Sequence, residues 1–78
     1  MPINKGGMNE KELFVAVGKK ITKFRKEKGY TVQKLADECD IEKSNLIPIE
    51  KGRINTTLST LNKLSKALNV ELKQFFEF

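Results

Sequence analysis

The chain has 78 residues, enough for one domain with one modest hydrophobic core. It carries 15 Lys and Arg against 10 Asp and Glu, a net charge of +5 that favours a polyanionic partner such as nucleic acid. The absence of His and the single cysteine, Cys39, exclude an internal disulfide and the ordinary zinc and catalytic-triad arrangements. Nothing gathers a paired acid and base or a Gly-rich phosphate loop, so no catalytic residue, metal or cofactor is expected. No stretch is apolar enough to span a membrane, and the first ten residues lack the apolar core of a signal peptide. The expectation is a cytoplasmic protein that is not an enzyme and has no membrane partner.

Residues 1–8 hold Pro2, Gly6 and Gly7 without apolar periodicity and read as a flexible N-terminal arm to a domain over 9–78. Asn9, with Glu12 three positions on, approximates a capping box. Leu13, Phe14, Val17, Ile21 and Phe24 then recur at helical spacing, predicting a first helix from about 10 to 28 that Gly29 stops. Thr31 is an N-cap for a short second helix burying Leu35, Ala36 and Cys39. Asp40 stands where the chain must turn sharply, and Asp tolerates the left-handed conformation better than most residues. A third helix after Ile41 points Leu46 and Ile49 inward and leads to Gly52. Thr56 or Thr57 caps a fourth, carrying Leu58, Leu61, Leu64 and Leu68 and ended by Asn69. A last short helix holds Leu72, Phe75 and Phe76. Five helices with short connections predict a compact all-α bundle.

Several of these features together carry a resemblance. Arg25-x-x-x-Gly29-Tyr30-Thr31, the Leu35-Ala36 pair, Ile49-Glu50-Lys51-Gly52, Asn55-Thr56-Thr57-Leu58 and Lys66-Ala67-Leu68-Asn69-Val70 fall in one register between Val17 and Phe76. In that register the chain resembles the lambda-repressor-like (Xre or Cro-type) helix-turn-helix family, whose second and third helices form the DNA-binding motif. The resemblance implies that helix 2 crosses the DNA backbone and helix 3 enters the major groove. It places base-contacting side chains at Lys43, Ser44 and Asn45, types suited to guanine and adenine edges. Phosphate contacts fall to Thr31 and Gln33 at the start of helix 2 and to Lys51, Arg53, Asn55 and Thr57 after helix 3. It also implies that Arg25 and Glu50 form a structural ion pair tying helix 1 to the motif.

Three residues depart from the family pattern. Val32 stands where a Gln often opens helix 2, and Asp40 replaces the usual turn Gly. Pro48 lies inside helix 3, where it lacks an N–H and presses on the carbonyl of Ser44. This predicts that helix 3 kinks near residues 44–48 or begins late, with Asn45 as its cap.

The functional expectation is a sequence-specific transcriptional regulator of double-stranded DNA, a repressor or autoregulator acting on an inverted repeat. Phe75 and Phe78 suggest a homodimer interface on helix 5 and the end of helix 4, with half-sites about one helical turn apart. Because the chain stops soon after the motif, regulation is expected through concentration, dimerisation or a protein partner such as a toxin or RNA polymerase. The competing expectation is a protein-interaction module or antitoxin component that keeps the fold and has lost specific DNA reading.

Overall fold

The computed structural model describes residues 7–78; most of the arm expected over 1–8 therefore lies outside the described residues. Four α-helices follow one another, α1 Glu10–Glu27, α2 Val32–Cys39, α3 Lys43–Glu50 and α4 Leu58–Leu68, and a 3₁₀ helix over Leu72–Phe76 closes the chain. The fifth helix expected from the sequence is thus a 3₁₀ segment. With three residues per turn, such a segment aligns Leu72 and Phe75 on one side, and both pack inward. Phe76 is rotated away from that side and is exposed.

Three helices, α1, α2 and α4, start at expected caps. Asn9 Oδ1 accepts from the Glu12 amide at 2.8 Å and the Asn9 amide donates back to Glu12 Oε1 at 3.1 Å. Thr31 Oγ1 accepts from the Lys34 amide, and Thr57, rather than Thr56, does the same for Thr60 at the start of α4. Helix ends share one device. Each of the four α-helices stops at a left-handed residue, Gly29, Asp40, Gly52 or Asn69, with φ of 78°, 55°, 70° and 58°. The next amide then reaches back five residues, as in Tyr30 N–H to Arg25 O and Arg53 N–H to Pro48 O. Two of these positions carry side chains, and Asp and Asn bear the left-handed state at the lowest cost among non-glycine residues.

Helix α3 corrects one of the two readings at Pro48, the late start at Asn45. It starts at Lys43 with Glu42 as its cap residue and continues without interruption through Pro48, so it does not begin late at Asn45. Pro48 deprives the Ser44 carbonyl of its usual partner. Ser44 is exposed, so water can take that bond. Burial of Leu46 and Ile49 on the opposite side holds the helix in place, and tertiary packing overrides the local propensity.

The core is built from Ile21, Leu35, Leu46, Leu64 and Phe75, all fully buried, with Phe75 6.1 Å from Phe24 between ring centres. Helix α1 lies so close to α3 that a Cβ on Gly18 would overlap the Glu50 carbonyl oxygen and sit 2.6 Å from that of Ile49. Both obstacles are backbone and cannot rotate aside. Gly18→Ala is therefore expected to lower stability by about 1–3 kcal/mol, read as a drop in the urea midpoint at unchanged slope.

Candidate nucleic-acid interface

The second and third helices are joined by the tight turn at Asp40, which sets the exposed start of α3 beside the end of α2, while the start of α2, at Val32, lies by Ile47 and Lys51 at the other end of α3. Leu46 and Ile49 face the core, leaving Lys43, Ser44 and Asn45 exposed in the first turn of α3. The Asn45 amide donates to the Glu42 carbonyl at 2.9 Å, whereas the amides of Lys43 and Ser44 precede the first helical hydrogen bond, so this end offers donors and a partial positive charge. The cap residue Glu42 supplies no side-chain hydrogen bond to them. The three residues expected to touch bases are thus brought together on one free helix end.

The residues expected to touch phosphate fall in two groups. At the start of α2 the Thr31 hydroxyl is engaged as a cap, and Gln33 Nε2 donates to Asp37 Oδ1 at 2.9 Å along the same exposed side. Lys34 next to it is held by Glu38 at 3.1 Å, and that hydrogen bond, with its charge, raises the lysine pKa. The second group is the segment between α3 and α4, where Lys51, Arg53, Asn55 and Thr57 are all exposed. The Thr57 hydroxyl accepts from the Thr60 amide and donates to Thr60 Oγ1 at 3.1 Å, so it serves α4 as a cap. Gly52 shapes this segment. Its φ is +70°, and a Cβ there would lie 2.5 Å from the Val15 backbone.

One buried ion pair fixes the motif to α1. Arg25 Nε donates to Glu50 Oε2 at 2.7 Å and its Nη2 to Oε1 at 3.1 Å, with the two side chains only 12% and 7% exposed. The pairing implied by the resemblance is present. Its surroundings were not legible: Thr22 Oγ1 donates to Glu50 Oε1 at 3.0 Å, and Arg25 Nη1 donates to the Tyr30 carbonyl at 2.9 Å. Thr22 lies one helical turn from Gly18, whose carbonyl its hydroxyl also reaches; that spacing was the only sequence signal for it. The guanidinium thus links α1, the entry to α2 and the end of α3 in one network.

Cys39 is buried and its thiol reaches the Lys63 carbonyl at 3.6 Å, while burial pushes its pKa up. It behaves as a small core residue. Among the described residues no cluster of acidic or thiol groups could hold a metal ion, and no helix is long and apolar enough to cross a membrane.

The apolar surface differs from the expectation. Phe75 is fully enclosed and cannot form part of an interface between copies; a polar residue there would test the core. Phe78 is 48% exposed and lies by α1 next to Met8, Val15 and Ala16. Leu58, expected on the inner side of helix 4, is 71% exposed in its first turn. With Ile54 and Phe76 it lines an open apolar recess that also includes Leu13, Phe14 and Leu61. Three of the exposed apolar groups, Ile54, Leu58 and Phe76, therefore gather at the start of α4, and Phe78 stands apart by α1.

Comparison with known proteins agrees with this geometry. Residues 18–77 match the model of a helix-turn-helix domain family. The HTH-type transcriptional regulator SlrR of Bacillus subtilis is 40% identical over 62 residues, covering 78% of this chain and 41% of SlrR. Control protein C.BamHI of Bacillus amyloliquefaciens is 39% identical over 62 residues, covering 78% of this chain and 76% of that protein. Among solved structures, the restriction-modification controller protein C.AhdI of Aeromonas hydrophila superposes with a TM-score of 0.79 at 28% identity, over 81% of this chain and 96% of that one. The chain thus spans less than half of SlrR and most of the two controller proteins.

Proposed function

The chain belongs to the Xre-type helix-turn-helix family of DNA-binding proteins, and from that premise we propose that it is a dimeric transcriptional regulator, a repressor or autoregulator working in the cytoplasm. The observation that carries the reading is the free first turn of α3, where Lys43, Ser44 and Asn45 stand exposed together. Lys donates to guanine O6 and N7, Asn pairs with adenine in two hydrogen bonds, and Ser suits either. Backbone amides at the start of α2, together with Lys51, Arg53 and Asn55, hold the phosphates on either side. Thr31 and Thr57 act there by capping α2 and α4, and Gln33 by its place in the first turn of α2.

Selection of bound sequences from random duplex DNA tests this reading. The expected result is one enriched inverted repeat with half-sites about 34–36 Å apart, or a multiple of that spacing. Recovery of no preferred sequence would leave only the alternative, a fold retained for contacts with another protein.

In this reading two copies meet through Ile54, Leu58 and Phe76, with Phe78 outside the contact. An open apolar patch on so small a body favours self-association, and a two-fold axis through it pairs the same patch from each copy. In sedimentation at micromolar concentration the wild type is expected as a dimer and the Leu58→Glu, Phe76→Glu variant as a monomer. Both side chains are exposed, so the variant keeps its fold. Equal masses would rule out this interface.

A further inference from the structure

Behind its polar first turn, the outward stripe of α3 becomes apolar. Ile47 follows Lys43 by one helical turn, Pro48 follows Ser44 by the same step, and Lys51 continues the row. Ile47 and Pro48 are both partly exposed, and Ile47 is not among the side chains packed against the core cluster. Val32, the first residue of α2, packs against the core cluster with part of its side chain and leaves the rest exposed. Val32 and Ile47 line one recess, with Thr22, Arg25 and Glu50 at its base and Lys51 at its edge. The recess thus lies between the phosphate-facing start of α2 and the base-facing stripe of α3.

Aliphatic side chains in that place cannot read a base by hydrogen bonding. Pressed against a guanine, adenine or cytosine edge they would strip water from a polar group and return nothing. In the major groove only thymine presents a methyl group, at C5. We infer that Val32 and Ile47, together with Pro48, form an apolar reader of thymine methyl groups next to the base pairs contacted by Lys43 and Asn45. The inference rests on the DNA-reading function proposed above, and it gives the unusual residues of the motif a task. Val32 lacks the amide of the Gln common at its position and offers an apolar surface to a methyl group instead. Pro48, the next residue after Ile47 and partly exposed, extends the apolar stripe of α3 beside that recess.

The test uses the enriched duplex with thymines replaced one at a time by deoxyuridine, which removes the methyl group and keeps every hydrogen-bonding group. At one or more positions the wild type is expected to lose about fourfold in affinity per half-site, and about fifteenfold when both half-sites are changed. Ile47→Ala and Val32→Ala, confirmed folded by circular dichroism and urea unfolding, are expected to bind the thymine and deoxyuridine duplexes almost equally. Unchanged affinity at every substituted position overturns the methyl reader while leaving the regulator intact. Folded Ile47→Ala that keeps the full thymine preference also overturns it. Selection that yields no sequence at all overturns the underlying DNA-reading function and the methyl reader with it.

Discussion

Glu50→Ala is expected to lower the unfolding free energy by about 3–5 kcal/mol, measured by urea titration. The carboxylate accepts two hydrogen bonds from Arg25 and one from Thr22, and its removal leaves a guanidinium only 12% exposed without its counter-charge. A domain of this size holds roughly 3–5 kcal/mol from its single core, so the variant is expected to be largely unfolded at room temperature. Two further variants identify the cause. Glu50→Gln keeps one acceptor oxygen, which can still serve Thr22 and one Arg25 N–H, while its NH2 faces the other Arg25 donor; it should lose somewhat less than Glu50→Ala. Replacing both partners by apolar residues of similar size removes the stranded charge, and its loss should be well below the sum of the two single losses. A loss under about 1 kcal/mol for Glu50→Ala would mean that the pair behaves like an exposed one.

The second large effect is on DNA affinity. If the dimer neutralises about 6–10 phosphates, raising salt from about 50 to about 200 mM should weaken binding by roughly 10³–10⁵-fold. The exposed cations Lys51 and Arg53, present in each copy, supply part of that slope. Arg53→Ala should weaken specific and non-specific duplexes alike and lower the slope by about one unit for each phosphate it no longer neutralises. A slope near zero would show that the basic residues between α3 and α4 do not face DNA. Lys34 is expected to matter less, because Glu38 already neutralises it.

Most of this architecture is legible in the sequence because it is local. Asn9 with Glu12, Thr31 and Thr57 mark helix starts within four residues, and Gly29, Asp40 and Asn69 mark ends by their tolerance of positive φ. Arg25 and Glu50 are distant in sequence, and only the resemblance places them together. The corrections come mostly from packing between distant elements, and one from the local geometry of the last segment. Pro48 reads as a helix breaker, yet the burial of Leu46 and Ile49 and an exposed Ser44 carbonyl let α3 run through it. Phe75 and Phe76 are neighbours that look alike in sequence. Only the 3₁₀ geometry of the last segment decides that the first is core and the second surface. Leu58 fits the inward spacing of α4, but it lies in the first turn, where nothing covers it. The close approach that requires Gly18 is likewise invisible until α1 and α3 are seen together.

The exposed side chains at the start of α3 carry the central claim, and they can be separated from the phosphate contacts by one comparison. Lys43→Ala and Asn45→Ala are titrated against the enriched duplex and a scrambled duplex at the same salt. Each variant is expected to lose about 1–3 kcal/mol on the enriched site, roughly five- to 150-fold, with Asn45→Ala leaving the scrambled duplex nearly unaffected. Lys43→Ala is expected to show a small charge effect on the scrambled duplex beside its larger specific loss. Equal losses on both duplexes, or no loss on either, would show that the first turn of α3 does not read bases.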